Sequence, residues 1–134
     1  QALVDLTKSL HFTFHRAFDW VADPLEAIKQ LEAMGVQTIL TSGGETSAEQ
    51  GINHLDAWQE QTSLTMMGGG GISTKNASKF KDIGLRAIHC SGTSFGNRMN
   101  LEGKISMNST KHLVEDEVAV SSVETLALIV EAVK

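Results

Sequence analysis

The chain has 134 residues, of which 41% are hydrophobic and 20% charged, with a formal net charge of −5; that balance fits one globular domain with a buried core and excludes a disordered chain. An acidic surface without a lysine or arginine run repels phosphate backbones, which excludes general nucleic-acid binding. A single cysteine, Cys90, excludes an internal disulfide and any Cys-x-x-Cys pair, and it fits a reducing, cytoplasmic setting.

The elements follow in chain order. No apolar run approaches the roughly 20 residues of a membrane helix. No basic-then-apolar leader opens the chain either, although it begins with Gln1 and the native start is expected to be missing. Residues Ala2 to Leu10 resemble the tail of a helix. "HFTFH" (His11 to His15) alternates as a strand does. In "DPLEAIKQLEAMG", Asp23 suits an N-cap, Pro24 the first helical position, Glu26 a capping box and Gly35 the stop. "VQTIL" (Val36 to Leu40) predicts a second strand with the loop "TSGGE", followed by a helix from about Ser47 to Gln61. "SLTMM" (Ser63 to Met67) predicts a third strand, followed by Gly68 to Gly71. A helix capped by Ser73 and stopped by Gly84 leads to the fourth strand, "RAIHC" (Arg86 to Cys90). Residues 91 to about 121 read as an irregular functional loop, and "SVETLALIVEAVK" as a last helix.

Strands alternating with helices over short loops imply parallel pairing with right-handed crossovers. The fold class expected is therefore α/β. An eight-unit barrel needs ~250 residues, about twice what is present here.

Three blocks decide between a small doubly wound sheet and part of a barrel. "FTFHRAFDWVADPLEAIKQLEAMGVQTILTSGG", "MMGGGGIS" and "IHCSGTS", with "ISMNS" (Ile105 to Ser109) as a further feature, resemble the second half of the CutC family, the copper homeostasis proteins. The resemblance implies a (β/α)8 barrel of the TIM type. Its fifth to eighth strands would be the four here, so that residues 1–134 form a single partial barrel domain. It also implies Cu(I) handling rather than a defined reaction, with much of the family's cysteine in the half not present. Half a barrel leaves two strand edges and one sheet face uncovered. The expected partner is therefore the missing N-terminal half or a second copy of the chain, as a homo-oligomer.

Strand alternation places Phe12 and Phe14 toward the helices and Thr13 and His15 toward the interior. His15 then stands at the C-terminal strand end, where such barrels build their sites, with Arg16 and Asp19 in the following loop. These three suit a polar pocket rim; they equally suit a local ion pair with a hydrogen-bonded histidine. His89 is inward by the same alternation and Cys90 points toward the helices. Two histidines in one pocket suit metal binding or acid–base work, and also an ordinary core role. The strand-end glycine loops expose backbone N–H groups. An anion or phosphate site is expected from Ser42, Gly43, Gly69, Gly70, Gly71, Ser91 and Gly92, with Arg98 as a cation from the long loop. The same glycines also suit tight turns alone.

Cu(I) favours thiolates and thioethers. One cysteine and five methionines, with Met66 and Met67 diverging on a strand and Met99 and Met107 in the long loop, make no clamp. Copper thus rests on the resemblance. His11, His54 and His112 share no ligand spacing. The alternative function is a barrel enzyme acting on a small anionic or phosphorylated metabolite.

Overall fold

A computed structural model describes residues 2–6, 10–105 and 116–134. Ser106 to Ser109, Met107 and His112, which the sequence singled out, lie outside the described residues. The elements run α1 (Ala2–Leu6), β1 (Thr13–Phe14), a 3-10 helix (Arg16–Trp20), α2 (Pro24–Ala33), β2 (Thr38–Thr41), α3 (Ile52–Glu60), β3 (Thr65–Gly69), α4 (Ala77–Asp82), β4 (Ala87–His89), β5 (Thr93–Arg98), β6 (Glu117–Ser121) and α5 (Val123–Val133).

The first four strands form one sheet in the order β1-β2-β3-β4, every pair parallel. The register sets Thr13 beside Thr38, Thr38 beside Thr65, and Leu40 beside Met67, which faces Ala87 in turn. Sequential neighbours joined by helices are what short βα connections enforce, since a parallel strand can be reached only by a crossover. The expected mixed α/β architecture is therefore present.

Local chemistry explains the helix bounds. The Asp23 carboxylate accepts from Glu26 N–H at 3.0 Å, and Pro24 opens α2. The capping box expected at Glu26 is not closed by its side chain, which accepts from Gln30 Nε2 one turn on. Helix α3 starts later than expected, at Ile52. Helix α4 begins after Asn76 and not after Ser73: the Asn76 side chain accepts from Ser73 N–H at 2.8 Å, which closes a turn there, and makes no cap bond to the helix itself. Ser122 caps α5 by accepting from Thr125 N–H at 3.1 Å.

Two apolar clusters lie between the sheet and its helices. One holds Phe18, Ile28, Leu31, Ile39, Trp58 and Met66; the other holds Leu55, Ile72, Ala77, Phe80 and Ile129. Ile39, Met66, Leu55 and Phe80 are wholly buried, whereas Thr13 and His89, on the other face of the sheet, are exposed. Among the described residues no helix is long and apolar enough to cross a membrane.

The region after Cys90 corrects one expectation. It is not irregular throughout: among the described residues, β5 and β6 pair antiparallel from Thr93↔Ser121 to Arg98↔Glu117, with a register shift between Gly96 and Arg98. The alternation in "EVAVS" carried this signal, but its apolar face is half exposed, with Val118 39% and Val120 52% accessible, so it lacks the buried run that marks a core strand.

Candidate functional site

The 3-10 helix after β1 brings Arg16 and Asp19 together. Arg16 Nε donates to Asp19 Oδ2 at 2.7 Å, and Arg16 Nη2 donates to Ser42 Oγ at 2.7 Å. Asp19 Oδ1 accepts from the Thr41 hydroxyl, from Ser42 N–H at 3.0 Å and from Gly44 N–H at 3.3 Å. Ser42 Oγ lies 2.6 Å from Glu45 O and 3.1 Å from Asp19 Oδ2, so its single proton serves one of the two acceptors. The Asp19 side chain is 5% exposed and that of Arg16 44%. Burial alone would raise the Asp19 pKa, but the hydrogen bonds from Thr41, Arg16, Ser42 and Gly44 outweigh it and hold the carboxyl below its usual 3.8.

The ion pair is thus a clamp between the loop after β1 and the loop after β2. Thr41 was not expected in this role; its hydroxyl also accepts from Gly43 N–H at 2.9 Å. His54 is exposed on α3 and adds a brace: its Nδ1 is 2.8 Å from Gly43 O and its ring stacks on Trp58 at 5.4 Å. A Cβ on Gly43 would meet the Gly51 carbonyl, so this glycine serves the close approach of α3 to the loop.

Arg16 also reaches the third strand end. Its Nη1 lies 3.1 Å from where a Cβ of Gly70 would stand, and Gly70 adopts φ +112°, where a side chain is disfavoured. An open cleft of about 310 Å³ follows, lined by Arg16, Leu40, Gly69, Gly70, Gly71, Ile72, His89, Cys90 and Ser91. Five of the loop residues expected at the mouth therefore meet there: Arg16, Gly69, Gly70, Gly71 and Ser91. His89 joins them from the open face of the sheet. Cys90 is half-buried, packs against the second apolar cluster and also touches the cleft.

The remaining expected residues are placed elsewhere. The exposed His15 does not line the cleft; its Nδ1 accepts from Ala17 N–H at 3.0 Å and caps the 3-10 helix. Ser42 is buried behind Arg16. Gly92 is buried with Leu126 packed where its Cβ would be. Arg98 sits on β5 and pairs with Glu117 at 3.3 Å and Asp116 at 3.7 Å. Sequence reasoning missed Leu40 and Ile72 in the lining, because only the register of β2 against β3 brings Leu40 beside the glycines.

Comparison with known proteins adds ancestry to this geometry. The profile of the CutC family matches residues 1–94. The chain belongs to the CutC family. A CutC family protein of Bacteroides thetaiotaomicron is 34% identical over 139 residues, covering 100% of this chain and 56% of that protein. One from Proteus mirabilis is 40% identical over 116 residues, covering 84% of the chain and 46% of the relative. The mouse protein named copper homeostasis protein cutC homolog is 38% identical over 96 residues, covering 69% and 35%. The chain thus spans about half the length of the curated relatives it matches.

Proposed function

We propose that this CutC chain is the C-terminal half of a (β/α)8 barrel and part of a Cu(I)-handling, cytosolic protein. Family membership, with a relative named for copper homeostasis, is the observation that carries the copper reading. Four sequential parallel strands and a length about half that of the relatives support the half-barrel. So does the open sheet face, because an all-parallel sheet is normally covered on both sides. The exposed face and the outer edges of β1 and β4, unpaired among the described residues, are then the surfaces that the complementary half, or a second copy of the chain, would cover.

The sulfur and imidazole groups in place do not build a Cu(I) site by themselves. Met66 is wholly buried in the core, Met34 packs against it, and Met99 is 50% exposed on a loop. Cys90 has no second thiol beside it, and among the described residues no three His, Cys, Asp or Glu side chains group to hold a metal. Soft-metal binding therefore requires donors beyond these, and no step of copper chemistry is assigned to the chain alone.

An anaerobic Cu(I) titration against a competing chelator tests the proposal. The chain is titrated alone and again after joining it to the N-terminal half of the Proteus mirabilis relative. Chelator-resistant Cu(I) is expected only in the joined form. Its absence from both overturns the copper reading. Full binding by the chain alone overturns the dependence on a second half.

A further inference from the structure

We propose that the cleft between the ends of β3 and β4 binds a small oxyanion, a phosphate ester or a carboxylate, with Arg16 as its cation. The guanidinium is already oriented. Asp19 takes Nε and Ser42 takes Nη2, which leaves Nη1 against Gly70 at the cleft wall, without a protein acceptor among the described residues. The Asp19 carboxylate does not oppose an anion there. It lies behind Arg16, 5% exposed, and both of its oxygens are occupied by donors.

The lining is selective by charge. In a chain of net charge −5, the cleft wall holds, among the described residues, one cation and no acidic side chain. The Gly71 and Ile72 N–H groups donate to no protein acceptor among the described residues. Ser91 Oγ accepts from Thr93 N–H at 3.3 Å, so its own proton is available to donate. The exposed His89 imidazole supplies a further donor from the opposite wall. Glycine at position 70 is required twice: for its φ of +112° and for the space that the guanidinium uses. A fixed guanidinium edge with backbone N–H groups is the donor set that an oxyanion needs. The volume of about 310 Å³ suits a small ligand.

This site goes beyond copper handling and is independent of it; anion binding without a Cu(I) response, or the reverse, tells the two apart. The test is an amide-detected NMR titration of the full chain with inorganic phosphate and, separately, acetate. Sodium chloride at matched ionic strength is the control. Saturable shifts are expected at the Gly71, Ile72 and Ser91 amides with phosphate or acetate and not with chloride; which of the two saturates first names the ligand class. Arg16→Gln is expected to weaken binding by about tenfold or more, as loss of a charge-assisted hydrogen bond does. His89→Gln, at an exposed position, is expected to weaken it less while leaving the fold intact. If Arg16→Gln does not fold, the wild-type shift map and His89→Gln still decide. Shifts absent, non-saturable, matched by chloride or centred elsewhere overturn the site, as does unchanged affinity in a folded Arg16→Gln or in His89→Gln.

Discussion

The two faces of the four-stranded sheet differ sharply. Toward the helices, Ile39, Met66 and Phe80 are sealed from solvent. Toward the opposite side, Leu40 and Met67 are half-buried and Thr13 and His89 are exposed. Neighbouring residues of one strand therefore live in different solvents: Ile39 is in a packed core and Leu40 borders a cleft. The difference shows that the helices close only one side of this sheet. The other side holds the cleft beside Arg16 and a sheet face that the helices leave open.

The largest expected effect is on the sealed face. Phe80→Ala should cost about 3–5 kcal/mol in urea unfolding, through lost burial and the cavity left behind. On the open face Leu40→Ala should cost only about 1 kcal/mol. Equal costs would show that the open face is covered in solution, and the comparison would then have to be redrawn with a partner in place.

The clamp comes next. Asp19→Ala leaves the Thr41 hydroxyl, two backbone N–H groups and Arg16 without their acceptor, and should cost about 1–3 kcal/mol. Asp19→Asn keeps one acceptor oxygen and should cost less. Acid sharpens the point. The folded Asp19 carboxyl titrates below its ordinary 3.8, so its contribution is complete above that value and is lost as pH falls through the depressed folded value. Acid unfolding curves of the wild type should be steeper below pH 3.8 than those of Asp19→Asn. Identical slopes would remove the clamp from the account. The smallest effect belongs to the exposed His89: His89→Gln should change stability by less than about 0.5 kcal/mol, measured in the same unfolding series.

Much of the scaffold was legible from residue order. The switch between two-residue and helical periodicity located β1 to β4 and their helices, and Asp23 and Pro24 marked the start of α2 by chemistry that acts within one turn. The pairing of Arg16 with Asp19 was also readable, because three positions on a turn are neighbours. Strand alternation correctly sent Cys90 toward the helices and His89 to the other face.

The ribbon of β5 and β6 was not legible, since its partners are separated by a long stretch of chain and its apolar face stays half exposed. Of the two readings of His15, the hydrogen-bonded one is what the structure shows, for a local reason: the first turn of the 3-10 helix presents the Ala17 N–H, which the imidazole Nδ1 accepts.

By itself the sequence determined the alternation of strands and helices and the Asp23–Pro24 start of α2, because these depend on periodicity and on contacts a few residues apart; the family was legible only as a resemblance of whole blocks of residues. Only the tertiary structure decided that Thr41 and Ser42 saturate Asp19 across 22 and 23 positions, and that Gly70 makes room for the Arg16 guanidinium. Those contacts arise from the parallel register of three strands, which sets distant loops side by side, and no local pattern of residues encodes that distance.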